Sequence, residues 1–188
     1  FLAYGAAGGA FAMLMRASWL DVAYATGLSL IVYLFVLWAE KSRRVTHMLE
    51  PLVAMSSALG ATALAAYVDP RINVPIVVLS AIIVFIPGLA LTLGLAETAA
   101  RHLVSGTARI MDAVMILFKL YFGAFLGMAL GVRLFGKVEY VPMQAVEAWT
   151  AWLAVAILCG SLVIVFRARR KHIIWGLMSG FIAYGASQ

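Results

Sequence analysis

The chain has 188 residues, of which 65% are hydrophobic and 12% are charged, and its mean hydropathy is +1.02. Soluble globular domains are close to half apolar, so this composition excludes a soluble domain and indicates a polytopic, all-α membrane protein. The formal net charge is +6. The basic residues fall in short segments between apolar runs, which is typical of membrane proteins and does not favour a nucleic-acid partner. One cysteine and three well-separated histidines offer no ligand spacing, so we expect no metal and no cofactor.

Seven apolar segments predict seven membrane spans. They cover 1–15, 19–39, 48–67, 74–96, 108–131, 146–166 and 173 to the chain end. The chain begins at Phe1 inside an apolar stretch, and its last segment is short for a span. We therefore expect it to be a piece of a longer protein.

The distribution of lysine and arginine predicts the orientation of the spans. Nine of these residues lie between spans on one side: Lys41, Arg43, Arg44, Arg101, Arg109, Arg167, Arg169, Arg170 and Lys171. Four lie on the other side: Arg16, Arg71, Arg133 and Lys137. Because cytoplasmic loops are enriched in lysine and arginine, we expect the nine-residue side and the N-terminus to be cytoplasmic. Residues 132–145 are then an external loop.

A weak internal repeat relates the start of the chain to its end. Residues 151 apart are identical at five compared positions: Gly9/Gly160, Arg16/Arg167, Ala17/Ala168, Ile31/Ile182 and Tyr33/Tyr184. Five spans separate the two starts, so the copies would have inverted topologies, as in many secondary transporters. This hypothesis divides the chain into a five-span repeat over 1–131 and the first two spans of a second repeat over 146–188.

The fourth apolar segment contains the stretch FIPGLALTLGLAE, residues 85–97. Pro87 has no backbone donor and Gly88 is a poor helix former, so the pair predicts a discontinuous helix. Its unpaired backbone groups near the midplane would bind substrate, together with the hydroxyl of Thr92 one turn later. Two alternatives are a purely structural proline kink and a Thr92 hydroxyl that bonds back to its own helix.

Ionisable residues inside spans are costly and mark candidate functional sites. Glu97 and Arg101 have the spacing of an intrahelical ion pair, although Glu97 is also a candidate proton-coupling acid. Asp112, a second candidate acid, is seven residues from Lys119 and shares its helix face. Lys119 is predicted near the midplane, where it would pair with an acid or bind an anionic group of the substrate.

Other residues at the span ends are predicted to be structural. Asp21 anchors the start of the second span, and Glu50 complements the dipole of the third helix. Ser105 and Gly106 indicate a helix end or tight turn between the fourth and fifth segments. Glycines at four-residue spacing in the fifth segment indicate close helix packing: Gly123, Gly127 and Gly131.

Three stretches in order carry a family resemblance. They are GAAGGAFAMLM with SWLD, then IPGLALTLGLAETAARHLVSGTARIMDAVMI, then AILCGSLVIVFRARRKHIIWGLMSGFIAYG. The second contains a Pro-Gly core, a polar turn ending in Ser-Gly and a helix with an acid, here Asp112. Together they resemble the threonine/serine exporter family. The chain departs from the family at Leu91-Thr92-Leu93, where members often have Asn, and at Ala96-Glu97-Thr98, near the usual Arg-Asp pair. Lys119 matches no family feature.

The resemblance implies a ten-span protein of two five-span halves that exports small hydroxy amino acids. Export would be driven by the proton-motive force across the inner, cytoplasmic membrane, which makes the protein an antiporter. The expected partners are threonine, serine or a small carboxylate, protons and the lipid bilayer, with a homo-oligomer left open. The alternatives are a dicarboxylate exporter, for which Lys119 would be the anion site, and a non-transporting scaffold subunit. No HExxH, GxSxG or paired-acid motif favours an enzyme.

Overall fold

A computed structural model describes residues 1–41, 46, 48–136, 146, 147, 149–165 and 173–186. The regular structure of these residues is helical. The elements are α1 (Leu2–Leu14), α2 (Trp19–Lys41), α3 (Leu49–Tyr67), α4 (Val74–Ala81), a 3-10 turn (Ile83–Phe85), α5 (Gly88–Ala99), α6 (Leu103–Phe135), α7 (Thr150–Val165) and α8 (Ile173–Ala186).

The helix lengths confirm a polytopic helical membrane protein. Within the described residues, α2, α3 and α6 are long and apolar enough to cross a bilayer, with 23, 19 and 33 residues. The segment from α4 to α5 makes a fourth candidate span if the two helices, bent by 53° at their break, count as one. Helices α1, α7 and α8 are apolar and shorter, with 13, 16 and 14 residues. Each predicted apolar segment therefore contains at least one helix.

Helix α6 is longer than the predicted fifth segment at both ends. It begins at Leu103 and continues to Phe135, so it includes the first four residues of the predicted external loop. Residues 137–145 of that loop lie outside the described residues. At 1.5 Å per residue, α6 is about 50 Å long, against about 30 Å for the hydrocarbon core of a bilayer.

Glycines set the closest helix contacts, as the sequence predicts. Helices α1 and α2 are antiparallel, since Gly5 contacts Leu30 and Gly9 contacts Thr26. Helices α3 and α6 are parallel along what we call the glycine interface, which pairs three glycines of α6 with three residues of α3: Gly123 with Pro51, Gly127 with Ala58 and Gly131 with Thr62. An added Cβ on Gly127 would lie 2.7 Å from the Cβ of Ala58, so no larger residue fits at this spacing.

Asp21 anchors the start of α2, and it also holds the start of α4. Its carboxylate accepts hydrogen bonds from the Ser18 hydroxyl at 2.8 Å, from the Ser18 N–H at 3.1 Å and from the Asn73 N–H at 2.8 Å. Asn73 in turn caps α4 by accepting from the N–H of Ile76 at 3.3 Å. The carboxylate of Asp21, which is 2% exposed, therefore joins the N-terminal ends of two parallel helices.

The core lies between α2, α3 and α4. One apolar cluster includes Leu28, Ala58 and Val77, while a second is formed by Val32, Val53, Ala54, Ile82 and Leu120. The second cluster contacts Phe85, in the 3-10 turn that follows α4. This cluster therefore connects the end of α4 and the 3-10 turn to α2, α3 and α6.

The relation between the two predicted repeats stays a prediction. Gly9 contacts α2 closely, whereas Gly160, its equivalent under a shift of 151 residues, has no neighbour within 4 Å of an added Cβ. Two further equivalents, Arg167 and Ala168, lie outside the described residues. Helix α7 packs against α1, and the N–H of Val146 donates to the carbonyl of Ala17 at 3.1 Å.

Candidate functional site: a broken span beside a groove

The fourth span is broken where the Pro-Gly pair predicts. Helix α4 ends at Ala81, Ile86 is extended with ψ 120°, and α5 begins at Gly88. Pro87 has no N–H with which to continue the hydrogen-bond ladder, and its ring disfavours a helical conformation at the preceding Ile86. The predicted discontinuous helix is confirmed, and its two parts differ in direction by 53°.

The break leaves backbone groups unpaired on both of its sides. Among the described residues, the carbonyls of Leu79 and Ala81 at the end of α4 accept no backbone hydrogen bond. The N–H groups of Leu89 and Ala90 in the first turn of α5 likewise have no acceptor there. The end of α4 has a partial negative charge and the start of α5 a partial positive charge. The break can therefore interact with a ligand of either sign.

An apolar groove runs between α4 and α6 and ends at the break. It consists of two adjoining cavities of about 310 Å³ and 330 Å³, both of which are lined by Pro75 and Met128. The first reaches Asn73 at the start of α4, and the second reaches Ile86 at the break. The groove exists because α4 diverges from α6, whereas α5 packs tightly against it.

The residues predicted at the break have different surroundings. Gly88 is exposed, and an added Cβ there would have no neighbour within 4 Å. Thr92 is exposed, and its hydroxyl donates to the carbonyls of Leu89 at 3.0 Å and Gly88 at 3.2 Å. Of the two alternatives for this hydroxyl, the structure shows the bond to its own helix.

Glu97 pairs with a different arginine from the predicted one. Its Oε1 lies 2.9 Å from Nη2 of Arg109 on α6. The predicted partner, Arg101, follows the end of α5 at Ala99 and has a positive φ of 64°, so it is not on the helix surface beside Glu97. The ion pair therefore joins α5 to α6 instead of stabilising one helix.

The interpretation of Ser105 and Gly106 as a helix end was wrong. Both lie in the first turns of α6, and the turn is formed by residues 100–102. A Cβ on Gly106 would lie 2.8 Å from the backbone nitrogen of Thr98. Gly106 is therefore needed for the close approach of α5 and α6.

Lys119 pairs with an acid on another helix. Its Nζ lies 3.9 Å from Oε2 of Glu50, in the first turn of α3, and Asp112 forms no ion pair with any described residue. Glu50 is 17 residues from Tyr67 at the far end of α3, about 25 Å at 1.5 Å per residue. The pair therefore lies at one end of α3 and near the middle of α6, and the midplane position of Lys119 stays a prediction.

Lys119 does not line the groove. The groove residues of α6 include Leu117, Tyr121 and Ala124. Lys119 is two residues from Leu117 and from Tyr121, about 200° around the helix from each. The pair with Glu50 therefore lies on the opposite flank of the α3–α6 contact, and the structure does not place Lys119 beside Pro87, Gly88 or Thr92.

Sequence reasoning missed two partners, Arg109 and Glu50, as members of the candidate site. The distribution of basic residues uses Arg109 for orientation, and the helix-dipole argument uses Glu50 as a complementary charge. Neither argument identifies Glu97 as the partner of Arg109 or Lys119 as the partner of Glu50. The three glycines of the glycine interface indicated that α6 has a close partner. Nothing in their spacing identified that partner as α3.

The geometry can be compared with known proteins. A profile for the family described as "Putative threonine/serine exporter", ThrE, matches residues 1–131, which include α1 to α5 and most of α6. A search of curated proteins found no match, and a search of solved structures found none. The family match covers more than half of the chain and contains the broken span, both charged pairs and most of the residues that line the groove. The chain therefore belongs to the ThrE family.

Proposed function

We propose that the chain is part of a secondary transporter that exports threonine and serine across the cytoplasmic membrane at the expense of the proton-motive force. The observation that carries this proposal is the family match over residues 1–131. In this proposal the N-terminus is cytoplasmic, as the distribution of basic residues predicts.

The broken span supports a transport role. A helix whose two parts can change angle, beside a groove on one side, suits a protein that opens to each side of a membrane in turn. We assign Pro87, Gly88 and Thr92 to the substrate path, where the unpaired backbone groups of Leu89 and Ala90 are also available. The apolar groove itself is a poor site for a zwitterion, since it offers few polar groups.

Glu97 and Asp112 are the proposed proton-coupling acids. Glu97 lies on the part of the span beyond the break and contacts Arg109, so a change in its protonation alters the hold of α5 on α6. Asp112 is exposed, two turns from Lys119 on the same helix. Of the two acids, Glu97 is the more directly connected to the broken span.

The pair of Lys119 with Glu50 favours an amino acid over a dicarboxylate. The dicarboxylate alternative relies on Lys119 as an uncompensated positive charge. With Glu50 within 3.9 Å, the two side chains have no net charge and offer no special attraction to a dianion.

Transport by the full-length protein in proteoliposomes tests the proposal. Labelled threonine and labelled succinate are loaded separately, and efflux is followed with and without an imposed pH gradient. We expect the pH gradient to accelerate threonine efflux, and a protonophore to return it to the rate measured without a gradient. We expect no succinate efflux above that of protein-free liposomes.

Two other outcomes contradict the proposal in different ways. Succinate efflux without threonine efflux favours the dicarboxylate exporter. Failure to move either compound, in protein that remains folded and inserted, favours the scaffold subunit.

A further inference from the structure

Glu50 and Lys119 are opposite charges in largely apolar surroundings that do not satisfy each other completely. Their separation of 3.9 Å is longer than a hydrogen bond, and Oε2 of Glu50 is buried without a hydrogen-bond partner among the described residues. Neighbouring positions Val53 and Leu120 belong to the apolar core. A charged pair in such surroundings gains from any further polar partner.

The backbone fixes the two charged side chains relative to each other. Pro51 follows Glu50 directly, and Gly123 lies one turn after Lys119 on α6. A Cβ on Gly123 would lie 2.8 Å from the Cα of Pro51, so the two helices are in backbone contact beside the pair. The backbone positions of a site on two tightly packed helices are preorganised, so ligand binding carries no free-energy cost of bringing the helices together.

The two side chains remain accessible from one flank of the helices. Their side chains are 23% exposed for Glu50 and 40% exposed for Lys119. Long side chains of this kind can swing apart without a backbone change. A small ligand can therefore enter between them.

The ligand that fits is neutral overall and has one ammonium and one carboxylate group. We propose that Glu50 and Lys119 form a zwitterion site, in which Glu50 binds the ammonium group of an α-amino acid and Lys119 binds its carboxylate. Two charge-assisted hydrogen-bonded contacts then replace one loose ion pair, and the site stays electrically neutral. A dianion would leave two negative charges uncompensated. This inference rests on the proposed amino-acid export, and it adds Glu50 and Lys119 as binding residues at a place apart from the substrate path at the break.

The position of the pair connects it to the broken span. Val53, one turn after Glu50, and Leu120, adjacent to Lys119, pack in the same cluster as Ile82. Phe85 of the 3-10 turn contacts that cluster. Because Val53 and Leu120 share helices with Glu50 and Lys119, a displacement of either helix at the zwitterion site reaches the break through this cluster.

Two threonine analogues test the assignment of each charge. One replaces the carboxylate by a hydroxymethyl group, and the other, 3-hydroxybutyrate, lacks the ammonium group. Binding to the purified full-length protein is measured as the ligand-dependent shift in melting temperature, and transport as competition with labelled threonine. In the wild type, each analogue is expected to bind at least about tenfold more weakly than threonine, since each loses a charged hydrogen bond.

Single substitutions should reverse this discrimination selectively. Lys119→Met should bind the amino alcohol as well as threonine while still rejecting 3-hydroxybutyrate. Glu50→Gln should bind 3-hydroxybutyrate as well as threonine while still rejecting the amino alcohol. The matched control Arg133→Gln, an exposed charge at the far end of α6, should keep the wild-type ranking.

A double variant keeps the test informative if a single variant fails to fold. Glu50→Gln with Lys119→Met leaves no lone charge near the apolar core, so it should fold and bind both analogues about as well as threonine. Variants that keep the wild-type ranking overturn the zwitterion site and leave the proposed export intact. Wild-type protein that neither binds nor transports threonine overturns both.

Discussion

At the scale of single residues, Asp21 is the carboxylate with the most complete hydrogen bonding in the described chain, and its role is structural. Asp21 is buried and accepts three hydrogen bonds, which hold the starts of α2 and α4 together. Glu50 and Glu97 each have a buried carboxylate oxygen without a partner among the described residues. Incomplete satisfaction therefore separates Glu50 and Glu97, two of the acids assigned to function, from the acid that stabilises the fold.

Asp21→Ala should destabilise the protein strongly. The substitution leaves the N–H groups of Ser18 and Asn73 without their acceptor in a buried place, at an expected cost of about 2–4 kcal/mol. The melting temperature in detergent measures this effect. Glu40→Ala, an exposed acid near the other end of α2, should change stability by less than about 0.5 kcal/mol. Equal effects of the two substitutions would contradict the role given to Asp21.

At the scale of helices, the glycine interface is the most extensive helix–helix contact of the described chain. Backbone atoms of α3 and α6 approach each other because three glycines of α6 have no side chain. In a bilayer, where apolar side chains gain little from leaving lipid, such close packing supplies much of the association energy. We expect α3 and α6 to form a fixed frame against which α4 moves, since α4 diverges from α6 whereas α5 packs tightly against it.

Gly127→Leu should separate α3 from α6. The new side chain would overlap Ala58, and overpacking of this kind costs about 1–3 kcal/mol. Gly27→Leu is the matched control, because an added Cβ at Gly27 meets no atom within 4 Å. A lower melting temperature for Gly127→Leu alone is expected. If both variants have the melting temperature of the wild type, the glycine interface contributes little to stability.

The elements were predictable where the signal is local. Hydropathy located the helices, and Pro87 with Gly88 located the break, because both depend on neighbours in the chain. The turn after α5 was misplaced, since Gly106 serves packing against Thr98 and the positive φ is taken by Arg101, a residue type that rarely adopts it. A short helix-to-helix turn without glycine gives no local signal.

At the scale of the whole molecule, the ion pairs could not be predicted. Glu50 and Lys119 are about 70 residues apart in the chain and meet only because α3 and α6 are parallel neighbours. Glu97 meets Arg109 only because α5 folds back onto α6. Spacing rules describe partners on one helix. They therefore suggest Arg101 as the partner of Glu97 and Asp112 as the acid near Lys119. The candidate residues were thus identifiable from the sequence, and their partners were not.

The same arrangement predicts which distances change during transport. Spin labels at Leu79 and Tyr121 span the groove between α4 and α6, and labels at Leu59 and Leu130 span the fixed pair of α3 and α6, after replacement of Cys159 by Ser. Pulsed electron resonance should show the first distance changing by several ångströms, roughly the scale of hinge motions, when threonine and a lower pH are added. The second distance should stay constant. Movement of both pairs, or of neither, would contradict a hinge at the break.

The parallel contact of α3 with α6 also has a consequence for biosynthesis. Pro51 and Gly123 are about 70 residues apart, and ribosomes add about 5–20 residues per second. After α3 enters the membrane, its partner is therefore not made for several seconds, and the broken fourth span is inserted in between. During that interval the face of α3 that will meet the glycines must be covered by lipid or by a helper protein. The unit can reach its final packing only when its last long helix arrives, so a nascent chain halted before Gly123 should be a substrate for membrane quality control.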